Sequence, residues 1–166
     1  NRFHLLEEWK KTMILYVMIN PEGSGKIHIL PFLNEPIINY DLCKNDFINL
    51  SEGLKKYISA LFNNGADEII PCIDGIKAFK NGDSLNILSE NFLSKSKINL
   101  MSIHLFGSCI PGNNEKYCST NSYGLVNGLE NTYVCDASQI PEPIGVNPQG
   151  TVMAMSLRNI EYFLNK

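Results

Sequence analysis

The chain has 166 residues, with 14 basic against 17 acidic side chains, a net charge of −3, 44% hydrophobic residues and 19% charged residues. That length and balance describe a folded chain of about one domain, not a disordered one. With no basic run and no long apolar span, they exclude nucleic acid and membrane as partners and point to a soluble protein.

In chain order, the run Thr12-Met13-Ile14-Leu15-Tyr16-Val17-Met18-Ile19 within residues 9–20 predicts an apolar strand buried on both faces, with a buried helix as the alternative that the pattern alone leaves open. Pro21-Glu22-Gly23-Ser24-Gly25 predicts a turn, and Lys26 to Leu30 a returning strand, so the two strands form a hairpin. Gly23-Ser24-Gly25-Lys26 lacks the spacing and following helix of a phosphate loop. Residues 31–41 read as an irregular or edge stretch. Asn45 or Asp46 then caps a helix with Phe47, Leu50, Leu54, Tyr57, Ile58, Leu61 and Phe62 at helical spacing, closed by Asn63-Asn64-Gly65. Glu68 to Cys72 reads as a short strand, Gly82-Asp83-Ser84 as the start of a helix through about Leu93, and Ser94 to Lys97 as a polar connector. Strands and helices without regular alternation indicate an α+β fold with a mainly antiparallel sheet.

The last helix is the most sharply marked. Asn147 suits an N-cap and Pro148 the first helical position, and Met153, Leu157, Ile160 and Leu164 predict one buried face. Its N-terminus aims unpaired N–H groups and a partial positive charge at whatever faces it.

Five cysteines (Cys43, Cys72, Cys109, Cys118 and Cys135) are widely spaced, with no Cys-x-x-Cys and no paired histidines at metal-ligand spacing. No metal site is expected. Free, partly buried thiols are expected, although Cys109 and Cys118 bracket a loop that an oxidising compartment could bridge. Asn49-Leu50-Ser51 is a glycosylation triplet set in a predicted helix. Asn1-Arg2-Phe3 opens no signal-peptide pattern, and a cytoplasmic location is expected. Of the three histidines, His4 is near the terminus and His28 in a strand. His104 sits between Ile103 and Leu105-Phe106, just before Gly107. Histidine titrates near neutrality and suits proton transfer, while a histidine in such apolar company also suits a core.

His104-Leu105-Phe106-Gly107-Ser108-Cys109 is followed by Thr132 to Ser138, an apolar strand that is expected to end at Asp136-Ala137-Ser138, and by Gly145-Val146-Asn147-Pro148-Gln149. This order resembles the C-terminal part of the glucose–methanol–choline (GMC) flavin oxidoreductases. A looser likeness covers Gly23 to Ile29 and Pro36 to Tyr40, similar to the family's substrate-domain strand and the segment after it. Ile110-Pro111-Gly112 departs from the Pro-Met-Gly or Arg-Met-Gly that commonly follows in the family.

The resemblance implies a CH–OH oxidation of an alcohol or sugar, with FAD as cofactor. It implies His104 as the base and Asn147 as the residue orienting the substrate oxygen. Asp136, Ala137, Asn147, Pro148 and Gln149 would contact the flavin. Residues 1–101 would supply substrate-domain elements, and residues 102–166 the active-site and flavin-contacting segment. No Gly-x-Gly-x-x-Gly follows a strand, so the family's N-terminal dinucleotide-binding domain is expected as a missing partner. Without it, exposed apolar surface would favour self-association. The rival expectation is a non-catalytic α+β fragment or interaction module that binds no FAD by itself.

Overall fold

The computed structural model describes residues 7–165. His4 lies outside them. The chain forms two compact units divided between Asn99 and Leu100.

In the first unit, a 3-10 turn at Trp9–Lys11 leads into residues 12–23, which have no regular structure. The expected apolar strand is therefore absent. Met13 and Ile14 are exposed, and only Val17 and Ile19 are half-buried. A strand needs a partner for its backbone N–H and C=O groups, and no described segment pairs with this one.

β1 (Ser24–His28) pairs antiparallel with β2 (Ile37–Asp41), in register from Ser24 opposite Asp41 to His28 opposite Ile37. The hairpin thus forms with the segment after it, across residues expected to be irregular, and Ser24-Gly25 is strand rather than turn. Glycines allow the close pairing. A Cβ on Gly23 would lie 2.2 Å from the Asp41 carbonyl oxygen, and one on Gly25 2.9 Å from the Tyr40 ring.

α1 (Lys44–Asn63) begins earlier than expected, with Cys43 in the cap position. Asp46 still does capping work from inside the helix, because its carboxylate reaches back to the Cys43 N–H at 2.8 Å. The helix ends as the sequence indicates. Gly65 has φ +91, and the Ala66 N–H donates to the Leu61 carbonyl, closing a left-handed C-terminal turn. Leu50, Ile58 and Phe62 are buried from α1 and meet Ile73, Phe79, Leu88 and Leu93 in one core.

β3 (Glu68–Ile69) pairs antiparallel with β4 (Phe79–Lys80). The helix expected over residues 82–93 shrinks to a 3-10 turn, Leu85–Ile87, capped by Ser84. Buried Leu88 is held at its end, where its carbonyl accepts from the buried Ser51 hydroxyl. That bond fixes the chain in a turn, and it leaves the glycosylation triplet's serine inaccessible.

The second unit contains a 3-10 turn, Ala137–Gln139, and one long helix, α2 (Gln149–Leu164). The strand expected before Asp136 is reduced to isolated pairing, with Leu125 opposite Tyr133. Two helices and two small antiparallel sheets make this an α+β fold. Among the described residues no helix is long and apolar enough to cross a membrane, and no acidic, histidine or cysteine cluster could hold a metal. All five cysteines are free; Cys72 and Cys135 are exposed rather than partly buried.

Candidate functional site

The site residues named from sequence all fall in the second unit. His104 lies on an irregular segment, half-buried, with its ring 6.2 Å from that of Phe106 at 48°. Neither ring nitrogen has a hydrogen-bond partner among the described residues, so the imidazole keeps a lone pair to offer. Three residues on, Gly107 has φ +77, and a Cβ there would lie 3.1 Å from the Pro141 carbonyl oxygen. The positive φ favours glycine, and the close carbonyl leaves little room for a side chain. Next, the Cys109 N–H donates to the Ser138 carbonyl at 3.0 Å. Those contacts lay the segment after His104 against the turn that starts at Asp136 and against Pro141, six residues before Asn147.

Asp136 caps the Ala137–Gln139 turn, accepting from the Ser138 N–H at 2.8 Å and from the Ser138 hydroxyl. Its carboxylate therefore has a structural task already, although it is exposed. Ala137 is half-buried at the start of the same turn.

α2 starts one residue later than the sequence predicts, with Pro148 in the cap position and buried. Asn147 does not cap the helix: its exposed amide has no hydrogen-bond partner among the described residues. The first carbonyl bond, Val152 N–H to Pro148 at 2.8 Å, comes from the backbone. The N–H groups of Gln149, Gly150 and Thr151 are left without acceptors among the described residues, and no acidic side chain sits in the first turn to neutralise them. Three parallel donors at the positive end of a helix dipole suit an anion or an electron-rich ring.

The buried face of α2 is not the one predicted. Met153, Leu157, Ile160 and Leu164 are all exposed, between 50 and 73%. Turned inward instead are Val152, Met155, Ser156 and Asn159, with Tyr162 stacked on Tyr123 at 3.6 Å and Phe163 edge-on to Tyr133 at 5.4 Å. Asn159 is buried and hydrogen-bonded to Gln139, which is buried in turn against Thr120. Sequence reasoning missed these polar groups, although the signal is there: residues 152, 155, 156 and 159 repeat at helical spacing as regularly as the apolar set.

His104 and Asn147 share no hydrogen bond; the contacts on this side of the unit join Cys109 to Ser138 and Gly107 to Pro141.

Residues 21–156 match the family model described as GMC oxidoreductase. The chain is similar to an uncharacterised GMC-type oxidoreductase of Sinorhizobium fredii, 40% identical over 99% of this chain and 33% of that protein. It is also similar to a long-chain-alcohol oxidase of Arabidopsis thaliana, 32% identical over 90% of this chain and 21% of that protein. It thus spans between a fifth and a third of the length of these relatives. No solved structure matches it. With the family model covering most of its length, the chain belongs to the GMC oxidoreductases and corresponds to their C-terminal portion.

Proposed function

We propose that this chain forms the flavin-facing and substrate-facing end of an FAD-dependent enzyme that oxidises the CH–OH group of an alcohol. Long-chain alcohols are the substrate class favoured by the named relatives. The observation that carries the reading is the unpaired foot of α2, standing directly after Asn147 within the family match.

The residues there fit a flavin. Gln149, Gly150 and Thr151 present three unpaired N–H groups, and nothing lies within 4 Å of the position a Cβ would take on Gly150. These donors stabilise negative charge that faces the helix end. FAD, when bound, supplies the hydride acceptor. Asp136 and Ala137 face the cofactor in this reading, Asp136 using the carboxylate lone pairs that the Ser138 contacts leave over.

An alcohol hydroxyl is a very weak acid, so its proton needs a base as the carbon gives up hydride. His104 takes that proton on a free ring nitrogen. The Asn147 amide does not ionise at neutral pH; it donates an N–H to the substrate oxygen and orients it. Because the amide makes no cap bond, it is free for that task.

The exposed face of Met153, Leu157, Ile160 and Leu164 supports a further region packed against α2, in keeping with the dinucleotide-binding domain of such an enzyme. The test is reconstitution. Protein carrying that domain, given FAD and desalted, is expected to stay yellow and to bleach anaerobically with a long-chain alcohol. The 166-residue chain alone is expected to retain no flavin. Stoichiometric flavin on the short chain, or no bleaching in the longer protein, contradicts the reading.

A further inference from the structure

The second unit has little apolar core: Ile140 is its one buried hydrophobic residue among those described, beside buried Thr120, Gln139 and Asn159. Those three form a ladder. The Gln139 amide N–H donates to the Thr120 hydroxyl at 3.3 Å, and the Asn159 amide N–H donates to Gln139 Oε1 at 3.2 Å. Arg158 closes the far end, donating to Asn159 Oδ1 from Nε at 3.2 Å and from a terminal nitrogen at 2.9 Å. Its guanidinium also donates to the Ser122 carbonyl and lies 5.3 Å from the centre of the Tyr123 ring. No buried side-chain nitrogen or oxygen lacks a partner among the described residues.

Apolar contacts tolerate sliding, whereas hydrogen bonds fix direction and length. Gln139 ends the turn that Asp136 caps, and the neighbouring Ser138 carbonyl holds the segment that follows His104. Asn159 lies ten residues along α2 from Gln149, roughly 15 Å of rigid helix. Gly124 makes room for the rung, since a Cβ there would lie 2.9 Å from both the Asn159 and the Gln139 amide nitrogen.

We propose that Gln139 and Asn159 are positioning residues, whose mutual hydrogen bond sets the height of the α2 foot relative to the Asp136 turn and the His104 segment. This rests on the reading of that foot as the flavin end.

The test uses flavin-loaded protein that includes the dinucleotide-binding domain. In Gln139→Leu/Asn159→Leu the rung is removed from both sides, but the buried Thr120 hydroxyl loses Gln139 and Arg158 loses the Asn159 acceptor, so a lower thermal midpoint is expected with the fold retained. With the register lost, stabilisation of reduced over oxidised flavin is expected to fall about tenfold, or about 30 mV in midpoint potential for a two-electron couple. kcat should fall about tenfold with KM little changed. Asn159→Asp is the rescue: the Gln139 amide turns round, donating to the new carboxylate and accepting from the Thr120 hydroxyl, and parent values are expected. If the leucine pair does not fold, Asn159→Ser, too short to reach Gln139, is expected to give the same drop in potential. A folded ladder variant with the parent's potential and kcat overturns the positioning role. If His104→Ala is inactive in the same experiment, the flavin reading survives that result. A parent protein that takes up no flavin overturns both.

Discussion

Asp46 offers a test of the fold that needs no cofactor. Its carboxylate is fully buried at the start of α1, with one oxygen accepting from the Glu22 N–H at 2.8 Å and the other from Gly23 at 3.1 Å and Cys43 at 2.8 Å. Burial by itself would push the pKa up, but the backbone donors of Glu22, Cys43 and Gly23, with the Cys43 thiol, hold it below the usual aspartate value. In Asp46→Asn one amide oxygen can keep Gly23 and Cys43, now as neutral bonds, at a loss of roughly 1 kcal/mol each. The amide N–H2 then faces the Glu22 N–H, which turns to water for about 0.5–1 kcal/mol more. The expected destabilisation is roughly 2–3 kcal/mol at neutral pH. Because the folded pKa is lowered, the carboxylate's contribution is fully present above the unfolded value of about 3.9 and is lost as pH falls through the folded one. The gap between parent and variant in urea denaturation must therefore narrow on acidification. A gap that is absent at neutral pH, or constant down to low pH, would refute this account of how β1 is tied to α1.

Gly124→Ala forces φ +84 on a residue with a Cβ and places that carbon 2.5 Å from the Val134 carbonyl oxygen, so thermal denaturation should register a loss of about 3 kcal/mol or more. Gly128→Ala, at φ +79 with nothing within 4 Å, should cost only about 1–2 kcal/mol of backbone strain. Ser51→Ala removes the buried hydroxyl bonded to the Leu88 carbonyl and should cost about 1–3 kcal/mol by the same measurement. Asn147→Ala separates catalysis from capping: stability should change by less than about 0.5 kcal/mol, whereas alcohol turnover should fall.

What is legible in the sequence is what local chemistry decides. α1 is readable from its apolar spacing and from Gly65, and β3 from the run Glu68 to Cys72, of which only Glu68-Ile69 pairs as strand. Pro148 places the foot of α2 to within one residue. What fails depends on partners far along the chain. Residues 12–19 have the composition of a buried strand and no strand beside them. The stretch after Ser84 has helical signals, but Ser51 captures the Leu88 carbonyl and ends the turn. On α2 two stripes have equal spacing, and the mixed one, Val152, Met155, Ser156 and Asn159, turns inward, with Gln139 as the partner of Asn159. The Tyr123 and Tyr133 rings pack on Tyr162 and Phe163 at the end of the helix. Asn147, expected as the cap, stands one residue outside it, since Pro148 takes the cap position and its carbonyl accepts the first helical bond. The order of His104, Asp136 and Asn147 is visible at once in the sequence; the ladder that spaces their segments is not.

The central claim is that His104 takes the substrate proton. It is tested most directly by rapid anaerobic mixing of a long-chain alcohol with flavin-loaded protein, parent against His104→Ala. The account predicts that flavin remains bound in the variant while its reduction by alcohol slows by about 10²–10⁴-fold. A His104→Ala variant whose flavin is reduced at the parent's rate would contradict it.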